Sequence, residues 1–296
     1  MTVLGYVGLG AMGAPYACHL AAAGHAVMVF DPSPAARERL AGIAGVRPAA
    51  SLAEVVEAAE ILFTCLPSPA AVAAVYDAVA KPGLVACDNS TVGPSFARAL
   101  HARLRERGVA YVECPMLGSA ADAEAGLLFL LVSGDEAAID RVLAFALVAA
   151  RDHRVVGATG TASLYKTAQN GLGLVQVAAI AEALVLVARG GGDLEAFVEL
   201  VGAGGGMAAS PLFRARAPMM QGHAHAAAGE LRIAAKDAAL ANALALEQGI
   251  SLPLFARTAA LFEAAMAEDL GRADLAAVAR IVERETGVSL SPGRRG

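Results

Sequence analysis

Metal-ligand spacing is missing from this chain. No CxxC or HxxxH pair occurs among its four cysteines and six histidines, which argues against a bound metal. The cysteines (Cys18, Cys65, Cys87, Cys114) are widely spaced, each in an apolar context. They make no disulfide framework and fit reduced, packed thiols of a cytoplasmic protein. His223 and His225, two apart in a loop pattern, read as surface residues. Basic charge is scarce: 23 Lys and Arg against 28 Asp and Glu leave a net charge of −5. Nucleic acid is therefore not an expected partner. A basic n-region is also lacking, since Met1 is followed at once by an apolar run and a glycine loop; no signal peptide is expected. The most apolar run, Val175 to Val187, is broken by Gln176 and Glu182 and has no basic flank of membrane type. A buried core or interface helix is expected there, and no membrane partner. Internal repeats and low-complexity linkers are absent. Apolar residues, at 57% of 296, are plentiful. They allow a large core, and the length suggests about two domains.

Before residue 157 the chain alternates apolar runs with helical patterns. Thr2 to Val7 leads into Gly8-Leu9-Gly10-Ala11-Met12-Gly13, and a helical pattern follows from Pro15 to Ala23. In a strand–GxGxxG–helix unit the glycines permit a tight turn, close approach of backbone amides to a pyrophosphate, and close helix–strand packing. The helix start offers oriented N–H groups to the anion. A second strand, Ala26 to Phe30, ends in Asp31. An acid there can bind the ribose hydroxyls of NAD and repel the 2′-phosphate of NADP. NAD is the expected cofactor, with NADP possible because Arg37 and Arg39 lie just downstream.

Ser51 and Glu54 read as a capping box. Glu60 to Leu66 is a buried strand pattern ending at Pro67, so Leu66 and Pro67 are expected beside the adenine ribose, or Pro67 is simple punctuation. Leu84 to Cys87 runs into Asp88-Asn89-Ser90-Thr91-Val92-Gly93-Pro94. Strands are also expected over 109–114 and 127–133, then a helix over 136–149 and a short strand near 154–156. The β–α alternation predicts an α/β Rossmann domain, a doubly wound, mostly parallel sheet, over residues 1–160. Helices are expected over 210–220, 231–248, 253–268 and 272–286, giving an all-α domain over 161–290 and a flexible tail at 291–296. Its Ala-rich, charge-poor faces suggest a homodimer or homotetramer.

One long helix joins the two domains. Gly157 to Arg189 opens with Gly and Thr and then runs almost uncharged; at about 1.5 Å per residue it would reach roughly 40 Å. Its early turns carry Lys166 and Asn170, four apart and so on one face. A lone cation near a helix start is badly placed for the dipole and costly to bury. It is either a chemical group or a side chain snorkelling to water.

These segments together resemble the β-hydroxyacid dehydrogenases, the group of 3-hydroxyisobutyrate dehydrogenase, tartronate semialdehyde reductase and glyoxylate/succinic semialdehyde reductase. The likeness covers nearly the whole chain. It rests on GYVGLGAMGAPYACHL, DNSTVGP, ECPMLGSAADAEAG, GATGTASLYKTAQNG and AAKDAALANAL, in the family's order and spacing.

The resemblance implies an oxidoreductase moving a hydride between NAD(H) and the hydroxyl carbon of a small 3-hydroxy acid, or its semialdehyde in reverse. It implies that Gly8, Leu9, Gly10, Ala11, Met12 and Gly13 wrap the pyrophosphate. Thr91 touches the cofactor with Ser90 beside it, and Lys236 approaches from the helical domain. Lys166 is the implied acid/base and Asn170 holds substrate and lysine. Leu117, Gly118 and Ser119 take the substrate carboxylate. Where the family has Ser-Gly-Gly this chain has Leu117-Gly118-Ser119, which loses one hydroxyl and looks more like the glyoxylate/succinic semialdehyde branch. Leu127 and Gln169 replace the family's usual Thr and Asn. These departures leave the substrate open.

Four rivals stand beside this reading. 6-Phosphogluconate dehydrogenase is related, but its chain is much longer and no basic phosphate cluster is evident here. An NADPH-linked semialdehyde or glyoxylate reductase is favoured by Leu117-Gly118-Ser119 and opposed by Asp31. Imine reductases share the fold but commonly lack the lysine. A non-catalytic NAD-binding scaffold would not be expected to keep Lys166, Asn170, Ser90 and Lys236 together.

Overall fold

A computed structural model describes residues 2–79, 81–204, 206–222 and 229–290. His223, His225 and the tail at 291–296 lie outside them. The chain divides into two compact units, Met1–Thr167 and Ala168–Gly296. The division falls seven residues into the long helix rather than at its start.

In the first unit, β1 (Val3–Val7), α1 (Gly13–Ala22), β2 (Ala26–Phe30), α2 (Pro34–Glu38) and β3 (Val46–Pro48) make the first half of the sheet. Next come α3 (Leu52–Ala58), β4 (Ile61–Thr64), α4 (Pro69–Asp77), β5 (Val85–Asp88), α5 (Pro94–Glu106) and β6 (Ala110–Glu113). Then β7 (Met116–Leu117), α6 (Ala120–Glu124), β8 (Leu128–Gly134), α7 (Glu136–Ala146) and β9 (Ala150–Gly157) close the unit. The spatial order is β3-β2-β1-β4-β5-β6-β8-β7, with β9 on β8. Strands β1 to β6 pair in parallel. The chain winds outward from β1 to one side and from β4 to the other, so the topological switch lies between β1 and β4, where such sheets bind ligands at their carboxyl ends.

Apolar side chains alternate across the strands and bury both faces. On one, Tyr6, Tyr16 and Phe63 cluster with α1 and α7; on the other, Leu62, Ala86 and Tyr111 pack under α3, α4 and α5. That two-sided burial is why the strands read as near-continuous apolar runs.

Three parts of the sheet differ from the sequence expectation. β3 is only three residues, Val46-Arg47-Pro48, too short to show alternation. β7 (Met116–Leu117) lies between the strands expected over 109–114 and 127–133, where no strand was expected, and pairs antiparallel with β8, which is also antiparallel to β6. β9 runs from Ala150, not from near Arg154; its many polar residues hide the strand.

The long helix α8 (Thr161–Arg189) is continuous. By length and composition it could cross a membrane. Its Leu174, Val177, Ala178, Ala181 and Leu184 belong to the core of the second unit. That unit continues with α9 (Leu194–Gly204), α10 (Pro211–Met220), α11 (Leu231–Glu247), α12 (Pro253–Ala267) and α13 (Ala279–Thr286). The helix expected over 272–286 is broken. Asp274 accepts from the Ala276 amide at 2.9 Å and pairs with Arg216 at 2.8 Å, both side chains nearly buried. Short 3-10 turns at Leu270–Arg272 and Leu275–Val278 take up the first half. An Asp side chain that captures nearby backbone amides competes with helix continuation.

Candidate functional site

The carboxyl ends of β1, β2, β4 and β5 carry most of the sequence-predicted residues of the first unit, while Leu117 lies in β7 and Lys166 on α8. After β1 comes the glycine loop. Gly8 has φ +96°, and a β-carbon there would stand 2.2 Å from the Cys65 carbonyl oxygen. At Gly13 it would stand 2.0 Å from the Gly8 carbonyl oxygen. Both are glycine because the protein itself fills the space. Gly10 is different: a β-carbon there would meet no neighbouring atom within 4 Å. Its bareness leaves room outside the protein. α1 starts at Met12 with no side-chain cap and no acidic residue in its first turn, so its amide end suits an anion. Gly10, Ala11 and Met12 are at least partly exposed and Leu9 is buried. These features fit the pyrophosphate of a dinucleotide.

Asp31, just past β2, accepts from the Leu9 amide at 2.9 Å and the Ser33 amide at 2.8 Å. It thus ties the glycine loop to the strand end expected to hold the ribose. Two guanidinium groups lie close: Arg37 donates to the Asp31 carbonyl and sits 5.5 Å over the Phe30 ring, and Arg39 donates to the Leu9 carbonyl at 2.9 Å.

Beyond β4, Leu66 is half-buried and Pro67 exposed. The Leu66 amide donates to the Ser90 hydroxyl at 2.9 Å. Ser90, buried after β5, therefore braces the neighbouring loop, while Thr91 next to it is half-buried. Below them Asp88 accepts from Thr64 Oγ1 at 2.9 Å, the Ser90 amide at 3.0 Å and Tyr111 Oη at 3.4 Å. Burial raises the Asp88 carboxyl above its ordinary range, while hydrogen bonds from Ser90 and Thr64 pull it back. The same burial drives the Tyr111 hydroxyl well up.

Past β6, Leu117 is half-buried and Gly118 and Ser119 are exposed. Gly118 has φ +138°, a conformation that favours glycine. The Ser119 hydroxyl caps α6 in a reciprocal box: it accepts from the Asp122 amide at 3.2 Å, and the Asp122 carboxylate accepts from the Ser119 amide at 2.7 Å. These Ser119 bonds hold the Asp122 carboxyl below its ordinary range.

Lys166 is half-buried in the second turn of α8. The start of that helix is tied to the same sheet edge. Glu113, the last residue of β6 and 1% exposed, accepts from the Gly160 amide, the Ser163 amide at 3.2 Å and the Ser163 hydroxyl. Ser133 of β8 donates to Glu113 at 2.6 Å and accepts from the Ala162 amide at 3.2 Å.

In the second unit, Asp237 of α11 joins two predicted residues. The Asn170 amide donates to its Oδ2 at 2.7 Å, and Lys236 Nζ pairs with its Oδ1 at 2.8 Å. Asp237 is 9% exposed, so the carboxylate is largely shielded from water.

Sequence reasoning did not assign Glu113, Ser133, Ser163 or Asp237. The available signals were slight: an acid ending an apolar strand, where charged residues are seldom buried unpartnered, and a helix opening on a glycine that has no side chain to cap it.

Comparison with known proteins adds two family profiles. The NAD binding domain of 6-phosphogluconate dehydrogenase matches residues 3–160, and the NAD-binding profile of NADP-dependent 3-hydroxyisobutyrate dehydrogenase matches residues 160–282. The 2-(hydroxymethyl)glutarate dehydrogenase of Eubacterium barkeri is 32% identical, covering 98% of this chain and 98% of its own. The NAD-dependent L-serine dehydrogenase of Pseudomonas aeruginosa is 28% identical over 97% and 100%. Among solved structures, the 3-hydroxyisobutyrate dehydrogenase of Mycobacterium tuberculosis with L-serine superposes with a TM-score of 0.83, at 28% identity over 95% of this chain and 99% of that one.

Proposed function

The chain belongs to the β-hydroxyacid dehydrogenase family, NAD(P)-dependent oxidoreductases of hydroxy acids, and from that premise we propose an NAD-linked dehydrogenase of a small 3-hydroxy acid that uses Lys166 as its acid/base. The observation that carries the reading is the anchoring of the Lys166 helix at the end of β6. It supports a lysine brought to the same sheet edge as the glycine loop and the Ser90–Thr91 segment.

The nicotinamide cofactor, when bound, accepts or returns the hydride. Gly8 to Gly13, Asp31, Leu66, Pro67, Thr91 and Lys236 are the residues to hold it. The backbone of Leu117, Gly118 and Ser119 receives the substrate carboxylate. Lys166 Nζ takes the hydroxyl proton during oxidation and returns it to the oxygen during reduction, a role worth about 10²–10⁴ in rate. As an ammonium it also stabilises negative charge growing on that oxygen. Asn170, braced by Asp237, orients the substrate. The substrates in the relatives' names (2-(hydroxymethyl)glutarate, L-serine, 3-hydroxyisobutyrate) share a carboxylate with a hydroxyl on its β-carbon, which supports the same class here.

A second reading is an NADPH-linked semialdehyde reductase. Arg37 and Arg39 beside Asp31 favour it, since a 2′-phosphate would meet two cations there. Both readings are separated by one panel. 3-Hydroxyisobutyrate, L-serine, glycerate, L-threonate and 2-(hydroxymethyl)glutarate are assayed with NAD⁺ and NADP⁺. The expected result is faster turnover with NAD⁺, and a loss of that preference in Asp31→Ser. A preference for NADP⁺ in the wild type, or an unchanged ratio of kcat/KM in Asp31→Ser, would contradict the NAD assignment.

A further inference from the structure

α8 begins without a cap of its own. Gly160 stands at the N-cap position with φ +98° and has no side chain to receive an amide. The first-turn amides of a helix must nevertheless find acceptors, or their burial costs free energy. Here the acceptors come from the sheet, 29 to 50 residues earlier in the chain. Glu113 takes Gly160 and Ser163, and Ser133 takes Ala162. The Thr161 amide closes locally on the Ala158 carbonyl. Glu113 and Ser163 are 1% and 3% exposed. A buried carboxylate at a helix N-terminus is favoured by the dipole, and here two hydroxyls reinforce it. No step assigned to the reaction uses this group, although Lys166 follows Ser163 by one turn.

We infer that Glu113 is a positioning residue for this reaction. Its carboxylate caps α8 from the strand end and thereby fixes the turn that presents Lys166. The inference rests on the proposed role of Lys166. The energetic logic is geometric: a misplacement of about 1 Å in a reacting group can cost about 10²-fold in rate. A helix start held by charge-assisted bonds at both of its flanking amides has little freedom to shift. Glu113→Gln keeps the shape but turns an –NH₂ toward groups that themselves donate, so the cap is half lost. Glu113→Asp keeps the charge and falls one methylene short.

The test uses the full-length enzyme with the fastest hydroxy acid of the panel above and its preferred nucleotide. Glu113→Gln, Glu113→Asp and Ser163→Ala are made alone, and Glu113→Gln also on Lys166→Ala. The readouts are kcat per nucleotide-binding site, KM, the nucleotide dissociation constant, and amide hydrogen exchange over residues 158–167. Glu113→Gln is expected to lower kcat at least tenfold, leave the nucleotide dissociation constant within twofold, and speed exchange in that segment. Glu113→Asp recovers part of the loss, Ser163→Ala shows a smaller version of it, and no further loss occurs on Lys166→Ala. Wild-type kcat in Glu113→Gln, or losses that multiply with that of Lys166→Ala, would overturn the inference. If Glu113→Gln does not fold, unchanged kcat and exchange in both Glu113→Asp and Ser163→Ala overturn it equally. Wild-type turnover in Lys166→Ala alone is the separate result that removes the lysine's role.

Discussion

At Gly10 a β-carbon would meet no neighbouring atom within 4 Å, while at Gly13 it would lie 2.0 Å from a backbone oxygen. The two glycines of one motif therefore make opposite predictions. Gly10→Ala should fold with an unchanged urea midpoint and bind nucleotide about tenfold more weakly, because its methyl occupies the space kept for the anion. Gly13→Ala should lower the urea midpoint markedly, since backbone would have to move. Nucleotide titration and denaturation separate them; a Gly10→Ala enzyme with wild-type affinity would mean that this loop does not approach the pyrophosphate. At this scale the sequence was informative where spacing is local. The glycine loop, Asp31, Ser90, Thr91 and the Lys166–Asn170 pair could all be picked out because each lies in a short pattern with a physical reason. Glu113 could not, because its partners are 20 to 50 residues away and a single acid at a strand end has no periodicity. The role of Ser90 as a brace for Leu66 was hidden for the same reason.

Helix α8 carries a glycine where propensity argues against one. Gly171 sits in its interior, and a β-carbon there would meet Phe255 at 2.8 Å and Ala241 at 2.9 Å. Glycine in a helix interior costs about 0.5–1 kcal/mol relative to alanine, yet here it lets α11 and α12 come close beside Asn170. Gly171→Ala gains propensity and loses about 1–3 kcal/mol to overpacking. The expected outcome is a lower melting temperature by circular dichroism; a raised one would show that Phe255 can swing aside. Many elements were legible: β1, β2, β4, β5, α1, α3, α7, α8, α10, α11 and α12 match apolar period, caps and glycine stops, whereas α2, α4, α5 and α6 were not individually placed. The misses have specific causes. β7 is two residues long. β9 is polar. The break before α13 depends on the buried Asp274–Arg216 pair, which links residues 58 apart.

The molecule combines two units, each with a cluster of its own around a buried carboxylate. In the first, Glu113 anchors the start of the Lys166 helix; in the second, Asp237 holds Asn170 and Lys236. The β–α alternation foretold the doubly wound sheet because parallel strands buried on both faces leave an unmistakable apolar signature. The family came from five ordered motifs. The substrate did not, because the segment proposed to receive its carboxylate departs from the family's pattern at Leu117 and Ser119. The central claim is that Lys166 exchanges the substrate proton. Its most direct test is kcat of Lys166→Ala with the best hydroxy acid of the panel, alongside nucleotide affinity by titration. Proton exchange by this lysine predicts a fall of about 10²-fold or more in kcat with nucleotide binding intact; wild-type turnover in that variant would contradict it.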